Sequence, residues 1–232
     1  MLIGFFLFAM SLLHCYPVVA QANEVAKDSS RSSKPKIEKE KIPGYYRVGL
    51  DVSKWVASFV QSKYKTAEMQ IDRPLRQNVY GALEMGYAQS SLTTDKLQYQ
   101  TKNAFVSVGP DKTLFNRLFP GDIENAIVGI RYGISWVQRA DAQYTIADSI
   151  WGNAQGIVPS TSFFCHWIEL NTGFRLEVKK NFFAGWNIRF RGMLNQQKLK
   201  ELPPAYLAGY GAGEKPTSLG YNFYVMYGFG RR

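Results

Sequence analysis

The chain has 232 residues, of which 46% are hydrophobic and 15% aromatic, and it carries a formal net charge of +10. After residue 22 no apolar run approaches the roughly 18 residues that define a transmembrane helix, so the sequence argues against a helical membrane protein. Its 14 tyrosines, 15 phenylalanines and 20 glycines are instead typical of a β-barrel, which has aromatic girdles outside and small residues where backbones crowd inside.

The first 22 residues predict a secretory signal peptide that is cleaved after Ala22. Residues 2–13 are almost continuously hydrophobic, and a small-x-small site ends at Ala22, as such signals require. The alternative is a lipoprotein signal that uses Cys15, although His14 stands where that signal needs a small residue. Because export separates the protein from nucleic acid, we expect the positive charge to face lipopolysaccharide phosphates or another envelope protein.

Residues 23–43 predict a flexible spacer in the periplasm. The segment mixes six basic residues with four acidic ones around a run of serines, and Val25 and Ile37 are almost its only branched apolar residues. Such a composition buries too little apolar surface to compensate for the entropy of ordering, so we expect a solvated tail. The alternative is an electrostatic tether to a partner.

From Tyr46 onward the hydrophobic pattern has the period of two that indicates β-strands. Four weaker segments are followed by four in which the alternation is strict. The predicted strands are Tyr46–Phe59, Lys65–Asp72, Asn78–Gln89, Leu97–Val108, Asn125–Val137, His166–Val178, Phe182–Leu194 and Leu219–Phe229. This even number predicts an all-β protein, with one antiparallel transmembrane β-barrel of eight strands over residues 44–232.

The two faces of these strands predict which side chains lie inside the barrel. One face is branched and aromatic, with Phe174, Leu176 and Ile188 among the residues directed to lipid, and the other carries charges, asparagines and small residues. A soluble barrel of the lipocalin type would reverse these faces. Because side chains fill so narrow a barrel, opposite charges should pair there as a plug. The predicted plug residues are Arg131, Trp167, Glu169, Arg175, Glu177, Arg189 and Arg191.

With the spacer in the periplasm, the connections sort into long outer loops and short inner turns. The tightest turn, at residues 179–181, falls on the periplasmic side. The two long outer loops run from Gln138 to Ser162 and from Asn195 to Pro216, and we expect them to contact other envelope proteins. The periplasmic link over residues 109–124 is the exception, with one short amphipathic helix expected between Leu114 and Phe119.

The tryptophans fall into three groups by position. Trp55, Trp136 and Trp186 are predicted to anchor the barrel at the membrane interfaces. Trp167 falls on the lumen face, where an aromatic side chain helps to close the barrel. Trp151 lies in the long loop, and it belongs either to a contact surface for an envelope protein or to the packing of the loop on itself.

Five stretches carry a family resemblance. They are GLDVSK from Gly49, GIRYG from Gly129, HWIEL from His166, NFFAGW from Asn181 and LGYNF from Leu219. Together they resemble a family of uncharacterised small outer-membrane barrels from Bacteroidota-type bacteria, which implies the location and the fold and transfers no chemistry. The loop before the last strand departs from the family pattern, Tyr-Ile/Val-Pro-Gly, because it reads YLAG from Tyr206 and lacks the proline.

The residues that could carry chemistry do not combine into a predicted site. His166 is the only histidine after the signal peptide and lies on the lipid-facing side, while Ser160 and Ser162 belong to a loop. A barrel lipid hydrolase therefore stays a remote alternative. Cys165 and His166 are too few ligands for zinc, and a lone cysteine cannot form an internal disulfide.

The remaining patterns do not predict a site either. Glu169 and Glu177 are roughly 26 Å apart along one strand, too far to share a hydrolytic centre. The glycine-rich run 209–213 is not followed by a helix that would direct N–H groups to a phosphate, so a mobile loop is expected. We expect no cofactor, no metal and no enzymatic activity.

Two functions remain after these exclusions. The sequence favours a non-enzymatic outer-membrane barrel that acts structurally or as a subunit of an envelope complex, in contact with outer-membrane lipid and lipopolysaccharide. The alternative is a narrow pore or a barrel that binds a small solute. The lumen distinguishes them, because matched charges favour a plug and uncompensated arginines favour the passage of anions.

Overall fold

The computed structural model describes residues 44–60, 64–114, 125–146, 152, 154–199 and 202–230. The predicted signal peptide and spacer, Trp151, and most of the helix expected between Leu114 and Phe119 therefore lie outside the described residues. Within the described part of the chain, no helix has both the length and the hydrophobicity needed to span a membrane.

Eight antiparallel strands close into a ring, and a short hairpin lies between the fifth and sixth of them. The ring consists of β1 (Tyr45–Asp51), β2 (Tyr64–Arg76), β3 (Val79–Thr93), β4 (Leu97–Thr113) and β5 (Asn125–Arg139), followed after the hairpin by β8 (Thr161–Lys179), β9 (Phe182–Met193) and β10 (Thr217–Gly230). The hairpin consists of β6 (Ala142–Ile146) and β7 (Ala154–Val158). β1 pairs with both β2 and β10, which closes the ring. The prediction of an eight-stranded antiparallel barrel is confirmed.

The wall of the barrel separates a polar interior from an apolar exterior. Along β8, Glu169, Asn171, Gly173 and Arg175 are buried, while the alternate residues between them are exposed. Phe174 is 47% exposed and its neighbour Arg175 is fully buried. This is the reverse of the lipocalin arrangement and suits a barrel whose outer surface faces lipid.

Charged side chains limit the apolar surface of the wall at both ends. On β4 the outward-facing residues between Lys102 and Lys112 are Ala104, Val106, Val108 and Pro110. The two lysines are separated by roughly 33 Å of strand, which at a tilt of about 40° corresponds to a height of about 25 Å. This matches the apolar band of an outer-membrane barrel.

The short turns and the long connections lie at opposite ends of the barrel. Tyr45 pairs with Gly230, so both termini of the barrel lie at one end, here called the terminal end. The two-residue turns before β3 and β9 are also there, and in each the second residue is an asparagine with positive φ, Asn78 and Asn181. The opposite end, here called the loop end, carries the β6–β7 hairpin and the connection from β9 to β10.

The first predicted strand was wrong in its second half. β1 ends at Asp51, and an α-helix, α1 (Val52–Val60), replaces the rest of the predicted strand. Oδ1 of Asp51 accepts hydrogen bonds from the backbone N–H and the hydroxyl of Ser53, at 2.9 and 2.6 Å, so it caps the helix. α1 packs against β2 and β10, whose loop-end parts lie beyond the residues that pair with β1.

Two connections are more ordered than predicted. The loop from Gln138 to Ser162 contains the β6–β7 hairpin, and β6 extends the sheet by pairing with Leu97 and Gln98 at the start of β4. The expected periplasmic link is shorter than 109–124, because its first residues continue β4 to Thr113.

Candidate functional site: the closed lumen

The lumen is filled by charged side chains of both signs. Among the described residues, six carboxylates and six arginines are buried, so their formal charges balance. The acids are Asp51, Glu68, Asp72, Glu84, Asp111 and Glu169, and the bases are Arg47, Arg131, Arg139, Arg175, Arg189 and Arg191. A balanced set favours a plug over a path for anions, because five of the six arginines lie within 4.0 Å of a carboxylate, and only Arg139, at the loop end, bonds to a backbone oxygen instead.

Glu84 of β3 is the centre of this network. One carboxylate oxygen accepts a hydrogen bond from Nη1 of Arg131 at 3.2 Å and pairs with Arg189, and the other accepts one from the hydroxyl of Tyr224 at 2.9 Å. Arg131 also pairs with Asp111, at 2.6 Å. These bonds connect β3, β4, β5, β9 and β10 across the lumen, so they tie opposite walls of the barrel together.

A second carboxylate connects the network toward the loop end. Glu169 of β8 accepts a hydrogen bond from Nε of Arg191 at 2.8 Å, and its other oxygen lies 3.5 Å from Nε of Arg189. Arg191 continues to the loop beyond β9, where its Nη1 donates to the backbone oxygen of Tyr210 at 3.0 Å. The charged centre and the loop are therefore joined by one guanidinium group.

Toward the terminal end the lumen is closed by an arginine among aromatic rings. Nε of Arg47 pairs with Asp72 at 2.6 Å. The guanidinium of Arg47 lies 4.9 Å from the ring centroid of Tyr80 and 5.3 Å from that of Phe183, within the range of cation–π attraction. Arg175 fills the level between this cluster and the centre, donating to Oδ1 of Asn187 at 2.7 Å.

At the loop end the chain itself enters the barrel. In the inserted loop (residues 202–216), Tyr206, Leu207, Ala208, Gly209 and Tyr210 are buried. The backbone N–H of Ala208 donates to Asn103 at 2.7 Å, and that of Gly209 donates to Glu68 at 3.2 Å. Burial raises the pKa of Tyr206 well above its ordinary value, so its hydroxyl keeps the proton that it donates to Glu68.

An aromatic layer lies beneath the inserted loop. The fully buried ring of Trp167 lies 5.7 Å from that of Tyr210 and 6.1 Å from that of Phe105. Gly133 faces this ring, and a Cβ there would lie only 2.3 Å from it. A glycine at this position therefore makes room for the tryptophan.

The structure brings most of the predicted plug residues together. Arg131, Trp167, Glu169, Arg175, Arg189 and Arg191 are all buried in the lumen. Glu177 is only half-buried, near the terminal end, where it accepts a hydrogen bond from the N–H of Asn181 at 2.7 Å. It is part of the turn between β8 and β9 rather than of the central network.

The other singled-out residues lie on the exterior or at the ends. Trp136 and Trp186 face outward from β5 and β9, whereas Trp55, half exposed, lies on α1 and not on a strand as predicted. His166 also faces outward, and its Nδ1 lies 3.1 Å from the hydroxyl of Tyr132. The described residues contain no group of three or more potential metal ligands.

Two parts of the lumen were not predicted from the sequence. Glu68 and Asp72 of β2 and Asp111 of β4 share the inward face with Glu84. The period of two in the predicted strand Lys65–Asp72 indicates the first two acids, whereas Asp111 lies beyond the predicted end of its strand at Val108. The run 209–213 was expected to be a mobile loop, which was wrong, because Gly209 and Tyr210 are buried in the barrel.

Comparison with known proteins identifies a family and two barrels of low similarity. The model of a family described as Domain of unknown function (DUF6048) matches residues 1–229. Comparison with curated proteins gives no match. Among solved structures, the attachment invasion locus protein Ail of Yersinia pestis has 8% identity and a TM-score of 0.40, over 81% of this chain and 100% of that one. The N-terminal β-barrel domain of Pseudomonas aeruginosa OprF has 11% identity and a TM-score of 0.32, over 82% and 100%.

Proposed function

The chain belongs to the DUF6048 family, and we propose that it is a closed, non-enzymatic barrel of the outer membrane that acts structurally or as a subunit of an envelope complex. The observation that carries this proposal is the filling of the lumen by balanced charges and by the inserted loop. A barrel closed in this way offers partners its outer surfaces rather than a path through its centre.

The wall and its two ends support this location. The apolar band of about 25 Å on β4 suits a bilayer, and exported barrels of this kind have short periplasmic turns and longer outer loops. The terminal end then faces the periplasm, next to the predicted spacer, and the loop end faces outward. Tyr46, Phe182, Tyr227 and Phe229 are exposed aromatic residues near the terminal end that suit a girdle at the inner interface.

The β6–β7 hairpin is the surface that we propose for contact with another envelope protein. Ile146 and Ile157 on this hairpin are 55% and 65% exposed, and apolar side chains that lie outside a membrane are typical of contact surfaces. The other loop named by the sequence, from Asn195 to Pro216, is less suited, because its centre is turned into the barrel.

The location is tested by fractionation, and the role by co-purification. The protein should be recovered with outer membranes, require detergent, and migrate on gels in a heat-modifiable manner. A tagged chain from gently solubilised membranes should co-purify a partner that the variant I146S/I157S loses, with the lipid-facing variant Ile130→Val as the matched control. Recovery as a soluble periplasmic protein would contradict the location. Equal co-purification of the partner by both variants would show that the hairpin is not the contact surface.

A further inference from the structure

A polar cavity lies on the barrel at the loop end, beside the base of the β6–β7 hairpin. It has a volume of about 470 Å³, and its lining includes Gln100, Lys102, Gln138, Arg139, Ser160 and Ser162. Amides, hydroxyls and the ammonium group of Lys102 in one cavity suit a phosphorylated sugar, because they combine a donor for phosphate with donors and acceptors for hydroxyl groups.

Arg139 is a buried arginine at the edge of this cavity. It is 6% exposed, and its Nη2 donates to the backbone oxygen of Pro159 at 2.8 Å. Its Nε has no hydrogen-bond partner in the part of the chain that the structure describes. Because Gln138 faces outward on β5, Arg139 faces inward, so it borders the cavity from the lumen side and the outward-facing residues supply the polar lining.

A row of polar side chains leads from the cavity across the outer wall. Lys102 is opposite Gln89 on β3, and Gln89 is opposite Lys65 on β2, so the two lysines flank one amide on the outward face. Their Cα atoms are about 10 Å apart, two strand spacings. Neither lysine forms an ion pair with any described residue. Lysines at the edge of an apolar wall extend toward lipid phosphates.

An apolar groove begins where this row ends. It has a volume of about 420 Å³, and its lining includes Leu50, Ala67, Met69, Tyr87 and Ala104 of the wall together with Trp55 of α1. Ala67, Tyr87 and Ala104 are paired neighbours that lie two residues from Lys65, Gln89 and Lys102 on the same outward faces. The small side chains of Ala67 and Ala104 leave the depression, and the indole of Trp55 flanks it.

From these three features we propose that the barrel wall binds one lipopolysaccharide molecule. Its phosphorylated sugar occupies the polar cavity, its phosphate pairs with Lys65 and Lys102, and one acyl chain lies in the groove beside Trp55. β4 connects all three parts, because Gln100, Lys102 and Ala104 follow one another on its outward face. A lipid with sugar, phosphate and acyl chains matches the site better than a glycerophospholipid, which lacks the phosphorylated sugar.

This inference rests on the proposed orientation, which places the loop end in the outer leaflet. Its test uses the purified full-length protein in nanodiscs of phosphatidylcholine with either a short-chain lipopolysaccharide or phosphatidylglycerol. Native mass spectrometry after release into detergent counts the lipids that each variant retains. Retention by purified protein does not depend on cellular location, so a negative result with heat-modifiable migration intact rejects the lipid site alone.

The native protein should retain one lipopolysaccharide and no phosphatidylglycerol. The variant K65Q/K102Q should bind it about 30-fold more weakly, the effect of two lysine contacts with an anionic lipid. Ala104→Trp, which fills the groove and leaves the charges in place, should abolish retention. The matched controls on β4 are Lys112→Gln at the opposite end and Val108→Trp outside the groove, and both should bind normally.

Two results would overturn the proposal. The first is unchanged retention in K65Q/K102Q and Ala104→Trp, or equal losses in the two controls. The second is equal retention of phosphatidylglycerol, which would show that the site does not recognise a phosphorylated sugar.

Discussion

Replacing Glu84 with alanine removes the carboxylate on which the centre of the lumen converges. Three donors lose their acceptor: Nη1 of Arg131, Nη2 of Arg189 and the hydroxyl of Tyr224. Arg131 keeps Asp111 at 2.6 Å and Arg189 keeps the hydroxyl of Tyr224 at 2.9 Å, but the lumen is left with one more buried arginine than carboxylates. Breaking one partner out of a buried ion pair costs about 3–5 kcal/mol, and we expect a loss of that size in the free energy of unfolding.

The assay is reversible unfolding in urea with the barrel refolded into lipid vesicles, followed by tryptophan fluorescence. Glu84→Gln keeps an oxygen acceptor and the volume of the side chain, so it should cost less than Glu84→Ala. Ser91→Ala is the matched control, because Ser91 is exposed on the same strand and surface changes usually stay within about 0.5 kcal/mol. A Glu84→Ala protein that unfolds like this control would show that the network does not tie the walls together.

Three further variants test the wall, the helix and the inserted loop. Val108→Arg, midway along the apolar band, should lower the free energy of unfolding by about 2–4 kcal/mol in the same assay, whereas Gln100→Arg, beyond the band, should lower it by about 0–1 kcal/mol. Equal losses would contradict the proposed position of the bilayer. Asp51→Ala removes the cap of α1 and also the hydrogen bond that the side chain of Asn222 donates to the same carboxylate, so it should destabilise by at least about 1–2 kcal/mol. Asp51→Asn keeps a capping oxygen and should be milder; identical stability of all three proteins would refute the cap. Gly209→Ala forces a Cβ to within 2.4 Å of Phe105 at a residue with φ of +72°, so the inserted loop should become sensitive to limited proteolysis. A loop as resistant as the native one would show that its burial does not require glycine at this position.

The strands could be predicted from the sequence because they face two different solvents. Between Arg175 and outward-facing Leu176, or between Arg189 and Ile188, each step along the chain reverses polarity, and this period does not depend on the residues of the neighbouring strands. The period of two does not predict the helix α1, because Val52, Trp55, Val56 and Phe59 fall within the predicted strand Tyr46–Phe59. Their spacing of three and four residues after a capping Asp51 is the local signal that distinguishes a helix.

The interior could be predicted only in part, because its partners lie far apart in the chain. Glu84 and Arg189 are 105 residues apart, and Glu68 and Gly209 are 141 apart. The alternation indicates that such residues face inward, but it does not indicate which residues meet. The inserted loop is the hardest part to predict, since Tyr206 and Tyr210 are buried by strands from the whole length of the barrel.

The conductance of single molecules shows whether ions pass through this barrel. The purified protein is inserted into planar bilayers under an applied voltage, with Trp167→Ala as a variant that opens the aromatic layer. We predict no steady ion current from the native protein and at most brief leakage from the variant, because balanced charges and the inserted loop close the lumen. Reproducible, anion-selective channels from the unmodified protein would show that the lumen is open and would favour a pore.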